Sequence, residues 1–216
     1  MITDLHNHTY FSYDGCESPE KIVENAICCG INTVGICDHQ FTEGFNVDKY
    51  ITEIRKVKEK YNGVCMVKIG LEIGTRPKPD NLFAKSVSKK LDYCLFESLD
   101  SIKGMDFYEF LAWRKLFTCP VGFAHTDIFL LGEKYDIDML KVMKEEDIFW
   151  EINTSGNYPY YYDFITSKNK QELVKRSGIM LSVGSDTHRC SELNAKKLVS
   201  ANELVNELGN PMIFKR

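Results

Sequence analysis

A chain of 216 residues, 44% of them hydrophobic, is long enough for one domain with a sizeable core and short for two, so residues 1–216 are expected to form a single domain. The formal net charge of −4, from 27 Lys and Arg against 31 Asp and Glu, argues against a nucleic-acid surface, which needs clustered cations. No apolar run is long enough to span a bilayer, and the opening M-I-T-D-L-H lacks the charged and apolar regions of a leader peptide, so a cytoplasmic protein with no membrane partner is expected.

In chain order, Met1–Leu5 reads as a short strand that ends on His6 and His8 of D-L-H-N-H. Ser18-Pro19 opens a helix, with Ile22, Val23, Ala26 and Ile27 on its inner face and Gly30 as its stop. Thr33–Cys37 is the second strand, followed by Asp38-His39, and Asp48–Tyr61 is an amphipathic helix. The pattern over Val64–Leu71 predicts a third strand ending at Glu72, and Asp80 caps a helix that runs to about Lys90. Tyr93–Phe96 is the fourth strand and runs into E-S-L-D; a helix over Asp106–Phe117 follows. Val121–Ala124 ends at His125, Asp138–Glu145 is helical, and Phe149–Ile152 ends at Asn153. N-Y-P-Y-Y-Y-D-F, residues 157–164, reads as a loop. Lys170–Ser177 is a helix stopped by Gly178, Met180–Val183 is the seventh strand, G-S-D-T-H follows it, and Ser191–Leu208 closes the chain as a helix.

Strands rich in β-branched residues that alternate with helices imply a parallel sheet. An open doubly wound sheet gathers ligands at one switch point, near only some strand ends. Here nearly every strand end carries a metal-type residue, and a barrel brings all those ends to one mouth, so a (β/α) barrel is expected. All five histidines take part: His6, His8, His39, His125 and His188. Glu72 and Asp186 complete a set of seven, too many for one ion, so two or three divalent ions (Zn, Mn or Fe) are expected. Such a cluster acidifies a bound water and clamps an in-line displacement at phosphorus, which points to hydrolysis of a phosphate ester and a small phosphorylated substrate.

Several neighbours have two readings. Asp4 and Asp38 either orient an imidazole or satisfy backbone donors. Asp14 in S-Y-D-G is either a turn residue or a ligand of a third ion. Arg76 and Arg189, on loops beside the strand ends, can hold a phosphate bidentately or stay solvated. The tyrosines of residues 157–164 either cover a substrate or pack the loop. The eight cysteines include no C-x-x-C pair and read as free thiols.

D-L-H-N-H-T at the start, D-H at 38–39, G-L-E-I at 70–73, A-H at 124–125 and G-S-D-T-H at 184–188 together resemble the ordered metal motifs of the polymerase-and-histidinol-phosphatase (PHP) domain family. E-I-N-T-S-G, residues 151–156, also looks like a stretch of its histidinol-phosphatase-like members. The resemblance implies a distorted (β/α)₇ TIM-like barrel and a trinuclear site. His6, His8, Glu72 and Asp186 would hold the first ion; Glu72 would bridge to a second, also held by His125; His39, His188 and Asp14 would hold the third. Where the family usually has a histidine after the fourth strand this chain has S-L-D, which places Asp100 as the expected ligand there. The implied reaction is phosphomonoester hydrolysis by a hydroxide bridging two ions, with Arg189 on the phosphoryl oxygens and a metal-bound water or Asp14 protonating the leaving group; histidinol phosphate is the first substrate it suggests. An amidohydrolase would want a lysine after the fourth strand, where Lys103 is the nearest; a non-catalytic domain that binds metal or a partner is the other alternative.

Overall fold

Every strand pairing among the described residues, 1–101 and 104–214 of this computed structural model, is parallel. The strands are β1 (Thr3–Asp4), β2 (Thr33–Ile36), β3 (Met66–Ile69), β4 (Glu72–Ile73), β5 (Cys94–Phe96), β6 (Val121–Phe123), β7 (Ile148–Asn153) and β8 (Leu181–Gly184). They pair in the orders β1-β2-β3 and β4-β5-β6-β7-β8. Both seams between these sheets carry backbone contacts. At one, the Leu5 N–H donates to Val183 O at 2.8 Å, and the His8 N–H to Thr187 O at 2.8 Å. At the other, the Glu72 N–H donates to Asp38 O at 3.0 Å, and His39 bridges Glu72.

The predicted third strand is thus two pieces, broken at Gly70 and Leu71. The break has a packing cause. A Cβ at Gly70 would lie 2.3 Å from Tyr93 Cζ, so the chain bends around that ring. On the outer side the Tyr50 hydroxyl lies 2.7 Å from Gly70 O and 2.9 Å from Ile36 O, supplying the donor that regular pairing would have given. With β3 and β4 counted as one interrupted strand, the architecture is the expected distorted seven-stranded TIM-like barrel.

The helices are α1 (Pro19–Cys28), α2 (Val47–Lys60), α3 (Asn81–Val87), α4 (Phe107–Arg114), α5 (Ile128–Tyr135), α6 (Met139–Glu145), α7 (Pro159–Thr166), α8 (Lys168–Ser177) and α9 (Ala195–Leu208). Most begin at a side-chain cap visible in the sequence: Ser18 accepts from the Lys21 N–H, Asp80 from Phe83, and Asp106 from Tyr108 and Glu109. Two helices go beyond the sequence reading. α5 starts at Asp127, which accepts from Phe129 and Leu130. α7 replaces the expected tyrosine loop: Pro159 opens it, and Tyr160, Tyr161 and Phe164 bury one face. Phe164 and Tyr160 pack on Trp150 at ring distances of 4.9 and 5.7 Å, a tertiary contact that outweighs the weak helix preference of a tyrosine run. No helix among the described residues is long and apolar enough to cross a membrane. All eight cysteines are free thiols, as expected.

The core has two layers. The larger lies between strands and helices. The smaller, built from Leu5, Cys37, Tyr93, Leu95, Ala124, Phe149 and Ile213, fills the barrel interior below the strand ends. Its floor is the C-terminal segment, where the Ile213 N–H donates to Leu181 O at 3.0 Å. The opposite mouth is left to polar residues.

Candidate metal centre

Side chains of successive strand residues alternate between the barrel interior and the helix layer. Cys37, Leu95 and Phe149 belong to the interior layer. Two residues further along, each strand therefore sends His39, Glu97 and Glu151 toward the same axis. Gly184 abuts Glu151, and Asp186 follows it at the same parity. Two of these positions leave regular geometry: His125 has φ of 31° and Asp186 φ of 56°, left-handed conformations costly for residues with a Cβ. The Asp186 N–H donates to His6 O at 2.8 Å, and the His125 N–H to Glu151 Oε2 at 2.8 Å, which hold the two turns in place.

Glu72 is the hub. It is fully buried. Its Oε2 lies 3.4 Å from His6 Nε2, 3.5 Å from His8 Nε2 and 2.8 Å from His39 Nδ1, and its Oε1 lies 2.9 Å from His125 Nε2. Asp186 Oδ1 is 3.3 Å from His8 Nε2 and 3.7 Å from His6 Nε2. Asp14 Oδ2 stands 3.4 Å from both His39 Nε2 and His188 Nε2. Among the described residues three groups of ligand-type atoms result, the atoms of each within 4.8 Å of one another: His6, His8 and Asp186; His8, Asp14, His39 and His188; and His39, Glu72 and Glu97.

Burial pushes the His6 imidazole pKa down, but Glu151, Glu72 and Asp186 more than reverse this and hold it well above the ordinary value. His8, equally buried, is lowered by that burial. Burial raises Glu72, yet His6, His125 and His39 keep its carboxyl well below the usual range. Among the described residues, five buried atoms of the cluster lack a hydrogen-bond partner: His6 Nε2, His8 Nε2, His39 Nδ1, Asp14 Oδ1 and Glu72 Oε2. His39 Nδ1 and Glu72 Oε2 approach without hydrogen-bonding alignment. Buried polar atoms are rarely left unpaired unless something else satisfies them. Their convergence, with imidazole nitrogens and carboxylate oxygens as donors, fits divalent ions of the zinc, manganese or iron type.

Contacts around the centre distinguish the two readings of Asp4, of Asp38 and of the tyrosine segment. Asp38 accepts from the Thr9 N–H at 2.6 Å, the Thr9 hydroxyl at 2.7 Å, the Ser12 N–H at 3.1 Å and the Ser12 hydroxyl at 2.7 Å. It organises the loop after β1, and Ser12 Oγ in turn sits 3.0 Å from His8 Nδ1. Asp4 accepts from the Ser185 N–H at 2.8 Å and hydroxyl at 2.7 Å, and burial pushes its carboxyl up to about 6. Both acids thus bind loop donors rather than imidazoles. Tyr158 is in the site wall: its ring stacks on His125 at 4.3 Å and 5°, and its hydroxyl lies 3.3 Å from Asp186 Oδ2. Tyr160 and Tyr161 pack the buried face of α7, and Tyr162 is exposed.

The structure brings His6, His8, Asp14, His39, Glu72, His125, Asp186 and His188 to one mouth. Asp100 is not in any of the three groups; its Oδ2 accepts from the Asp127 N–H at 3.0 Å, at the start of α5. Glu97, which the sequence reading passed over, takes part instead. The cause is local: Ser98 has φ of 65°, which turns the chain after Glu97 and carries Leu99 into the core and Asp100 away. Its parity with Leu95 was the available signal. Arg189 is exposed on the rim, with Nε 3.4 Å from Cys16 Sγ, and Arg76 is exposed after β4. Lys103, the residue on which an amidohydrolase reading would turn, lies outside the described residues.

Comparison with known proteins follows the same lines. The family model of the PHP domain matches residues 4–155. The histidinol-phosphatase of Lactococcus lactis subsp. lactis (strain IL1403) is 28% identical over 100 residues, 44% of this chain and 36% of that protein. The aligned stretch thus spans well under half of that relative's length. The crystal structure of histidinol phosphate phosphatase from Lactococcus lactis subsp. lactis Il1403, complexed with zinc, L-histidinol and phosphate, superposes with a TM-score of 0.72 at 20% identity, covering 98% of this chain and 95% of that one. A candidate histidinol phosphatase from Listeria monocytogenes superposes with a TM-score of 0.60 at 16% identity, covering 89% and 97%. These two likenesses are of fold. Matched by the family model over well more than half its length, the chain belongs to the PHP domain family.

Proposed function

We propose that this protein is a metal-dependent phosphomonoesterase, with histidinol phosphate as the first substrate to test. The observation that carries the proposal is the set of five unpartnered buried atoms, on His6, His8, Asp14, His39 and Glu72, within one cluster of imidazoles and carboxylates. In this reading His6, His8, Glu72 and Asp186 hold one ion, and Glu72 with His125 a second. His39, His188 and Asp14 hold a third, with His8 beside them. Glu97 takes the ligand position expected of Asp100. When bound, such ions supply Lewis-acid polarisation of the phosphoryl group and an acidified water.

The protein's own groups do the rest. Buried walls of Leu95, Ala124 and Phe149 below the centre exclude bulk water and strengthen its electrostatics. Tyr158 fixes the orientation of His125 and Asp186 from the side. Protonation of a leaving alkoxide would fall to Asp14, part-exposed at the rim, in the state in which it does not hold an ion, and Arg189, exposed next to His188 in the chain, would meet phosphoryl oxygens. The relative solved with L-histidinol and phosphate makes histidinol phosphate the natural first choice.

The test is a panel of phosphomonoesters, L-histidinol phosphate and an aryl phosphate among them, assayed on metal-free protein reloaded with zinc, manganese or iron. Turnover that His8→Ala abolishes is expected. A fully loaded protein that hydrolyses none of the panel, or an H8A variant as active as the parent, would overturn the reading.

A further inference from the structure

Below the metal-facing atoms lies a second, fully buried carboxylate that none of the proposed ligand sets uses. Glu151 sits in the middle of β7, 0% exposed, between Phe149 and Asn153 on the interior face. It has three partners on two other strand ends and its own. Oε1 accepts from His6 Nδ1 at 2.7 Å. Oε2 accepts from the backbone N–H of His125 at 2.8 Å and from Asn153 Nδ2 at 3.1 Å. The space for this reach is made by a glycine: a Cβ at Gly184 would stand 2.2 Å from Glu151 Oε1 and 2.6 Å from His6 Cβ.

These contacts have one consequence for each end of the carboxylate. On the Oε1 side, a proton held on His6 Nδ1 leaves Nε2 as the lone-pair nitrogen, and Nε2 is the atom aimed at Glu72 and Asp186. On the Oε2 side, the bond fixes the backbone of His125, whose φ of 31° needs an external tether. His6 and His125 belong to different strands, and their rings lie 5.9 Å apart.

Resting on the metal-centre reading above, we infer that Glu151 is a positioning residue that sets the His6 tautomer and the His125 backbone together, so that one buried carboxylate aligns ligands of two neighbouring metal positions. It does not touch the ions or the reacting atoms. Gly184 is the residue whose lack of a side chain permits it.

The experiment uses the full chain, stripped of metal, and zinc alone as the probe. Calorimetric titration of Zn²⁺ into E151Q and E151A is expected to give affinities at least about tenfold weaker than the parent, the scale typical of outer carboxylates that orient metal-binding imidazoles. In the zinc-loaded parent, a ring Nδ1–H correlation from His6 should appear downfield and exchange slowly. That signal should be absent in E151A. In E151Q, which keeps an acceptor oxygen toward His6 but turns an amide N–H₂ toward the His125 N–H, it should persist while affinity still falls. Should E151A fold poorly, E151Q and Gly184→Ala carry the test, the latter expected to lose both signal and affinity by displacing Glu151. Zinc affinity within twofold of the parent in both Glu151 variants, or an unchanged His6 signal in a folded E151A, would overturn the inference. Neither readout depends on phosphatase turnover, so failure of the proposed reaction would be seen separately.

Discussion

Replacing Asp38 by alanine should destabilise the metal-free protein by about 3 to 5 kcal/mol, a loss large for one exposed-loop anchor but expected for a buried carboxylate with four donors. The magnitude follows from what each donor has left. The Ser12 N–H also reaches Thr9 O at 2.9 Å, so it keeps a partner when Asp38 is cut back. The Thr9 N–H, 2.6 Å from Asp38 Oδ1, is left buried and unpaired, which costs roughly 1 to 3 kcal/mol. Two hydroxyl bonds to a charged acceptor go with it, at 2.7 Å each, contributing about another 2 kcal/mol after the hydroxyls turn to other partners. Asp38→Asn keeps one acceptor oxygen for Thr9 and Ser12 and should cost only about 1 to 2 kcal/mol. The assay is urea unfolding of metal-free protein, read by tryptophan fluorescence, with the slope unchanged and the midpoint lowered. A D38A variant within about 1 kcal/mol of the parent would refute the reasoning. So would a D38N variant as unstable as D38A, because the asparagine Oδ1 can still accept from the Thr9 N–H and the Ser12 donors.

Glu97→Ala should reduce the number of zinc ions bound per chain, while Asp100→Ala should leave that number unchanged and cost about 1 kcal/mol of stability through the lost Asp127 contact; native mass spectrometry with a melting curve separates the two. Chelation of the metal should lower the melting temperature, since an ion present at a hundredfold excess over its dissociation constant adds roughly 2.7 kcal/mol to a site that binds it only when folded. Alkylation at mildly alkaline pH should modify Cys16, Cys28 and Cys29 within minutes and spare Cys37 and Cys94, whose thiols burial holds well above their ordinary pKa; mass mapping checks this. The same two thiols give a sign for pH: above roughly 8.5 the unfolded chain ionises them while the folded one keeps them protonated, so stability should fall as pH rises beyond that point.

Much of the site can be read along the chain because each strand end is a local event. An apolar run that stops at a histidine or an acid marks His39, Glu72, His125 and Asp186 without knowledge of any partner strand, and His6 and His8 mark themselves by their spacing. Helix starts at Ser18, Asp80 and Asp106 are equally local, since the capping side chain lies within three residues of the N–H that it satisfies. What the chain order does not carry is direction after the strand has ended. In E-S-L-D there are two acids, and past the left-handed turn at Ser98 it is Glu97 that lies beside His39 and Glu72.

Strand–helix alternation and the histidines and acids at the strand ends are legible along the chain, because hydrophobic period and strand termination are properties of short segments. Which groups stand behind those residues is set by contacts between distant segments. Asp38 reaches Thr9 across 29 positions, Tyr158 reaches Asp186 across 28, and Glu151 reaches His6 across 145. A buried carboxylate takes whatever donors the folded chain brings within about 3 Å. Those donors come from segments far apart in sequence, and they become neighbours only when the strands pair around the barrel.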